Sequence, residues 1–252
     1  MNFKNKSLVS KERIKEIYLF LNKIKIDKLS ITKIRLNESQ CLSIINESLT
    51  HTSINLEINH ERLEFLGDAV LRLVASEYIE SNFPKLKVGD RSALRAQLVS
   101  DEWLSTLGKE INIKKFMLIG VKALKDPTAT CTLQAEGTEA FIGALYECLK
   151  DLTPIQDWLS IYWNEKSKAI LADPSRNNYK SALQEWSQSK GLKTPKYFTL
   201  EQSKEHGNSK RFFCKVLIEE EILGKGWGSS RKKAEKEAAR IALGKLELSQ
   251  TT

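Results

Sequence analysis

Three carboxylates stand inside an apolar helical pattern, and that conflict narrows what this chain can be. Residues 59–71 read Asn-His-Glu-Arg-Leu-Glu-Phe-Leu-Gly-Asp-Ala-Val-Leu. The acids Glu61, Glu64 and Asp68 are spaced i, i+3 and i+7. At roughly 100° per residue they fall within about 60° of one another. Leu63, Leu66, Val70, Leu73 and Val74 cover the opposite side, and Phe65 and Leu71 flank the acids. A helix apolar on most faces is expected to be buried. Uncompensated acids on its remaining stripe repel one another and are costly to desolvate. A divalent cation held by oxygen ligands resolves the conflict. Arg72, four residues after Asp68, offers the alternative of a stripe neutralised by arginine.

A second acidic helix supplies the partners that a metal site needs. In residues 135–145, Ala-Glu-Gly-Thr-Glu-Ala-Phe-Ile-Gly-Ala-Leu, Glu136 and Glu139 are one turn apart. Gly143 lies one turn below Glu139 on the same face and permits close approach by another helix. Glutamates on helices are ordinarily solvated, so this pair gains meaning only beside the first stripe.

The string from His60 to Leu71 closely resembles the signature of the bacterial ribonuclease III family. Ser48-Leu49-Thr50-His51-Thr52-Ser53 is similar to a further family element, with Thr52 in place of arginine. The resemblance implies an endoribonuclease that hydrolyses duplex RNA with Mg²⁺ and leaves 5′-phosphate and 3′-hydroxyl ends. It implies Glu64, Asp68, Glu136 and Glu139 around the metal, with Asp68 and Glu139 catalytic and Glu61 a further catalytic acid near the scissile strand. It also implies a homodimer, and precursors of ribosomal, messenger and transfer RNA as substrates. Two positions depart from the family pattern. Glu136 replaces an aspartate, and Val88 stands where an acid often precedes Gly89-Asp90. An added methylene matters to Mg²⁺, which demands near-octahedral geometry, and valine offers no ligand atom. These departures define the competing expectation, a weakly active or inactive duplex-RNA-binding protein on the same fold. No histidine or cysteine nucleophile is needed for metal-assisted hydrolysis, so His51 and His60 read as structural.

Charge points to the same partner. Residues 173–252 carry 16 Lys/Arg against 10 Asp/Glu, whereas residues 1–172 carry 24 against 22. The basic excess is thus concentrated in the last third, as in a polyanion-binding module joined to a nearly neutral domain. No run approaches the ~18 apolar residues of a membrane span, and the N-terminus lacks a signal-peptide pattern. Cys41, Cys131, Cys148 and Cys214 are scattered and read as reduced core thiols of a cytoplasmic protein. Neither a membrane nor a small-molecule cofactor is expected.

The expected architecture is an all-α endonuclease domain followed by a small α-β-β-β-α double-stranded RNA-binding domain. Its divisions are an N-terminal extension (1–30), a catalytic domain (31–172), a linker (173–178) and the RNA-binding domain (179–248). Within the catalytic domain, helices are expected at 41–51, 61–81, 90–108, 132–149 and 155–171, after one amphipathic helix near the N-terminus. Beyond the linker, Tyr179–Lys190 reads as helix, 196–201, 211–219 and 221–228 as strands, and 230–246 as a serine-capped helix.

Residues 179–246 resemble a double-stranded RNA-binding domain through Leu183-Gln184-Glu185-Trp186, Gly224-Lys225-Gly226-Trp227-Gly228 and the basic start Ser230-Arg231-Lys232-Lys233. A helix N-terminus with Arg231, Lys232 and Lys233 suits a phosphate clamp. Gln184 and Gln188 are candidates for the minor groove, where duplex RNA is read by shape and 2′-hydroxyls. Asn208 occupies the usual minor-groove histidine position, with Lys210 beside it and His206 two residues earlier.

Overall fold

The computed structural model describes residues 9–54, 57–172, 179–205 and 208–248. The chain divides into two compact units, Met1–Lys168 and Ala169–Thr252. The expected linker, 173–178, lies outside the described residues.

Unit 1 is helical. Helices α1 (Lys11–Lys23), α2 (Lys28–Leu36) and α3 (Glu38–Ser48) precede the acidic helix α4 (Glu61–Asn82). Then follow α5 (Val88–Leu98), α6 (Asp101–Glu110), the short α7 (Val121–Leu124), α8 (Thr130–Leu149) and α9 (Thr153–Ala172). Two expectations need correction. The single N-terminal helix is two, and 28–36 is helical because Asp27 caps it, accepting from the Ser30 amide at 2.9 Å. The continuous helix expected at 90–108 is broken at Val99–Ser100. Ser100 accepts from the Trp103 amide and starts α6, with Asp101 and Glu102 on the favourable end of its dipole.

The core of unit 1 is aromatic. Phe20 of α1 packs on Phe116 and Phe141, and Phe141 meets Trp158 edge-on at 5.9 Å. Ile17, Phe20 and Leu21 are fully buried, so the segment expected as an extension contributes core. Not all the thiols are internal: Cys131 is exposed, while all four cysteines are free.

Helix α8 presses against α4 through two glycines. A Cβ on Gly67 of α4 would lie 1.9 Å from the Glu139 carbonyl oxygen, and one on Gly143 of α8 would lie 2.1 Å from that of Leu63. Each helix therefore inserts its glycine against the other's backbone. This expected role of Gly143 is met, and Gly67 is its counterpart on α4. Arg62 braces the same region by pairing with Glu47 of α3 at 2.8 Å and Glu147 of α8 at 2.7 Å.

Unit 2 has helix α10 (Tyr179–Ser189), strands β1 (Lys196–Glu201), β2 (Phe212–Ile218) and β3 (Glu221–Gly228), and helix α11 (Arg231–Leu248). The strands form an antiparallel sheet in the order β1-β2-β3. Its inner residues Phe212, Cys214, Val216 and Ile218 bury against Leu183 of α10 and Ala234, Ala238 and Ala242 of α11. Gly224, Gly226 and Gly228 face α11 so closely that added Cβ atoms would come within 2.1–2.4 Å of its backbone. Small residues on both sides let helix and sheet touch, as the sequence pattern implied.

Candidate functional site

The first strand-like contact of unit 1 builds one wall of the site. Thr50 bridges Leu118, and Gly120 donates its amide to Ser53 Oγ at 2.8 Å. This holds His51 and Thr52 beside the start of α4. Across from them run α4 and α8, whose close crossing sets their acidic stripes face to face. Glu61, Glu64, Asp68, Glu136 and Glu139 all line one open cleft of about 560 Å³, with His51, His60, Thr52 and Phe65. The five acids expected to act together are thus brought together.

Electrostatics show how tightly the acids are grouped. Burial pushes the Glu139 carboxyl up to about 7, assisted by the charges of Asp68, Glu64 and Asp101 and opposed by Arg72. Burial also raises Glu64, with Glu136 adding to it. Asp68 is turned to Arg72, whose Nε donates to both carboxylate oxygens at 2.7 and 2.9 Å. The arginine alternative is therefore realised for Asp68 alone. An exposed i, i+4 pair of this kind stabilises by only ~0.3–0.5 kcal/mol, too little to hold Asp68 against a divalent ion.

The two histidines need a correction. Each makes the backbone bond expected of a structural residue, and each also turns its second nitrogen to the acids. His60, 2% exposed, points Nδ1 at the Thr50 carbonyl at 3.2 Å. A carbonyl only accepts, so Nδ1 carries a proton. Nε2 then faces Glu64 at 3.4 Å and Glu136 at 3.6 Å. Burial alone would lower the His60 pKa; Glu136, Glu64 and the Thr50 carbonyl outweigh it and raise it. His51 has the opposite tautomer. Its Nδ1 accepts the Ser53 amide at 3.0 Å, so the neutral ring carries its proton on Nε2, 3.7 Å from Glu136. Burial, with His60 beside it, lowers the His51 pKa. The rings stack at 5.0 Å.

The donor set fits a hard divalent cation. It supplies carboxylates from two helices, two of them raised by burial and by the neighbouring acids, with no lysine among the residues lining the cleft. Among the described residues, His51, His60 and Glu136 form the group whose ligand atoms converge, within 4.8 Å. Of these rings, His60 is the one whose Nε2 is free of a proton when neutral, so it alone is poised to add a nitrogen ligand.

Other placements are plain. Val88 is 79% exposed in the first turn of α5. Phe65, expected on a buried helix, is 84% exposed, and Leu73 is 49% exposed. The buried sides of α4 are those of Leu63, Val70, Leu71 and Val74. Asp101 was not singled out from the sequence, yet its charge acts on Glu64, Glu139 and Arg72. Its signal was the Ser100-Asp101-Glu102 helix start, hidden inside a segment read as one helix.

In unit 2, Gln184 and Gln188 are exposed one turn apart on α10. Arg231, Lys232 and Lys233 are exposed at the start of α11, where Ser230 Oγ accepts from the Lys233 amide at 3.2 Å. Asn208 donates from Nδ2 to Glu205 at 3.1 Å and accepts the amide of exposed Lys210 at 2.8 Å. His206 lies outside the described residues.

The chain is similar to known proteins. Residues 61–149 match the Ribonuclease III domain model and residues 179–246 the double-stranded RNA binding motif model. A Prochlorococcus marinus protein named Ribonuclease 3 is 63% identical over 240 residues, covering 95% of this chain and 96% of its own length. A Synechocystis protein named Ribonuclease 3 2 is 38% identical over 200 residues, 79% of this chain and 82% of its own. A Nostoc protein of the same name is 36% identical over 199 residues, with the same coverage. With its helical nuclease domain, its acidic cleft and its C-terminal double-stranded RNA-binding domain, the chain belongs to the ribonuclease III family of endoribonucleases.

Proposed function

We propose that the protein hydrolyses phosphodiester bonds of duplex RNA in a Mg²⁺-dependent reaction that leaves 5′-phosphate and 3′-hydroxyl ends. The observation that carries this is the meeting of five carboxylates from α4 and α8 in one cleft. A phosphodiester is itself anionic and is repelled by such a cluster. The cleft therefore suits RNA only when cations accompany it. Glu64, Asp68, Glu136 and Glu139 would hold Mg²⁺, and Glu61 would stand near the scissile strand. Bound there, Mg²⁺ would activate the attacking water and stabilise charge on the leaving 3′-oxygen.

The chain's own residues orient these parts. In its imidazolium form, which its raised pKa favours, His60 is fixed by Thr50 and presents an Nε2 proton to Glu64 on α4 and Glu136 on α8 together. His51 faces Glu136 from the other side, its Nε2 3.7 Å from the carboxylate. The longer Glu136 side chain reaches both rings, which supports a site adapted to glutamate. Asp68, paired with Arg72 in the free protein, would turn to the cation. In unit 2, Arg231, Lys232 and Lys233 grip phosphates while Gln184 and Gln188 contact the minor groove.

The family resemblance implies a homodimer, and Phe65, 84% exposed beside the cleft, is the residue we assign to its contact. The structure has no helix among the described residues long and apolar enough to cross a membrane. We place the enzyme in the cytoplasm, acting on ribosomal, messenger and transfer RNA precursors.

The test is cleavage of labelled duplex RNA, duplex DNA and single-stranded RNA, each with and without Mg²⁺. Cleavage confined to duplex RNA with Mg²⁺, lost in Glu139→Ala while duplex binding persists, is expected. Binding without cleavage at any Mg²⁺ concentration would favour the inactive reading that Val88 suggests. Near-normal turnover by Glu139→Ala would show that the site is misassigned.

A further inference from the structure

The solvent face of the unit 2 sheet has a composition unlike an ordinary outer face. Alternation sends Lys196, Phe198 and Leu200 of β1 away from the helices, together with Phe213, Lys215 and Leu217 of β2 and Ile222, Lys225 and Trp227 of β3. Strand register arranges them in three rows. Lys196, Leu217 and Ile222 form the first, Phe198, Lys215 and Lys225 the second, and Leu200, Phe213 and Trp227 the third. An outer face normally alternates to polar residues. Here Phe198 is 56% exposed, Leu200 61% and Trp227 42%. The Phe213 and Trp227 rings lie 4.6 Å apart, and Lys215 Nζ stands 5.8 Å over the Phe213 ring.

None of these positions is acidic. The nearest carboxylates bound the face instead of entering it. Glu219, Glu220 and Glu221 sit at the β2–β3 turn, and Glu201, at the end of β1, pairs with Arg211 at 2.8 Å. Positive charge and open rings therefore share the second and third rows.

The geometry points to a second nucleic-acid surface: the outer face of the sheet binds single-stranded RNA. Stacking platforms interleaved with cations suit single strands, whose bases are free to stack and whose phosphates need neutralising. A duplex has its base faces occupied, so it gains nothing from Phe198, Phe213 or Trp227. A protein partner is the poorer match, because interface cores are depleted in lysine, and Lys215 lies at the centre of this grid. Gln184, Gln188, Arg231 and Lys232 belong to the helices on the other face, so the two RNA surfaces are distinct. A module of this kind would hold a duplex on one face and an adjoining unpaired segment on the other.

The experiment uses the full chain without divalent cations, so that nothing is cleaved. A fluorescein-labelled oligouridine of about 12 nucleotides, which cannot self-pair, is titrated by anisotropy; that length lies within known single-strand site sizes. Phe198→Ala and Trp227→Ala are each expected to weaken oligouridine binding by about tenfold. Lys215→Gln should reduce the log–log salt slope by about 0.7. Duplex RNA affinity and Mg²⁺-dependent duplex cleavage, measured in parallel, should stay unchanged. Arg231→Ala with Lys232→Ala should do the converse. Lys215 bears a charge at the surface, so its variant reports even where Trp227→Ala fails to fold. The proposal is overturned if the wild type does not bind oligouridine, or if binding ignores all three substitutions. It is equally overturned if they change only the sedimenting mass, which would make the face a contact between copies.

Discussion

Substituting Gly67 by alanine tests the crossing that brings the acidic stripes of α4 and α8 together. In an open helix the change stabilises by about 1 kcal/mol. Here the new Cβ would fall 1.9 Å from the Glu139 carbonyl oxygen, whereas ordinary contact begins at 3.4 Å. The two helices must therefore part by roughly the difference, about 1.5 Å, because the atom that is met is backbone and cannot swing aside. Overpacking of this kind costs ~1–3 kcal/mol, so the net change should lie between neutral and about 2 kcal/mol destabilising. Activity should suffer more. Glu64 and Asp68 flank Gly67 on α4, while Glu136 and Glu139 ride on α8, and Mg²⁺ accepts ligands near 2.0–2.1 Å with little tolerance. Misplacement of about 1 Å commonly costs ~10²-fold. Single-turnover cleavage of end-labelled duplex RNA at saturating protein should fall by at least that factor, with an increased Mg²⁺ requirement. Urea melts report the stability change alongside. Gly244→Ala, in α11 with open space around it, isolates the propensity gain. A folded Gly67→Ala protein that cleaves within about threefold of wild type at the same Mg²⁺ would refute the link between helix approach and ligand geometry.

Four further outcomes are expected. Because the Glu139 carboxyl is raised from 4.5 to about 7 in the fold, its contribution to stability is present below pH 4.5 and lost as pH rises to about 7 and beyond. Glu139→Gln should thus melt higher than wild type at pH 8 in chelator and converge with it near pH 4.5; a gap that ignores pH would contradict the buried acid cluster. Mg²⁺ should raise the wild-type melting temperature more at pH 8 than at pH 5, as binding to the folded state requires. Phe65→Asp should leave the circular dichroism unchanged and yield a monomer by sedimentation, whereas an unaltered mass would remove Phe65 from any dimer contact. Arg231→Ala with Lys232→Ala should weaken duplex binding across sequences and change the log–log salt slope by roughly 0.9 per lost contact, a B-DNA value used as a guide; an unchanged slope would exclude both residues.

The parts of the structure legible in the sequence were those with strong local signals. Helix α4 ends within one residue of its expected bounds, and β1 and β3 occupy the expected residues, because alternation and turn residues speak for themselves there. Gly143 announced a close helix contact by lying on the acidic face. What was missed depended on tertiary placement. The orientation of Phe65 is one such case. An apolar residue beside an acidic stripe implies burial, but among the described residues nothing covers Phe65, which is 84% exposed. The break at Ser100 was overridden by periodicity that runs across it, although serine followed by two acids is a cap signal.

The histidines carry the larger lesson about sites. Local sequence supports a backbone bond for each, and both are present, at Thr50 for His60 and at Ser53 for His51. An imidazole, however, has two nitrogens, and using one for the backbone fixes where the other points. Thr50 and Ser53 therefore do more than anchor loops: they set opposite tautomers on stacked rings. His51 is left as a donor toward Glu136, while His60 is left with a nitrogen that meets Glu64 and Glu136 together. The carboxylates on α4 and α8 are thus aligned from two directions, by glycines that close the helices and, when His60 is protonated, by histidines that face the side chains. Either device alone would leave the acids free to diverge under their own repulsion, which adds to burial in raising the Glu139 and Glu64 carboxyls.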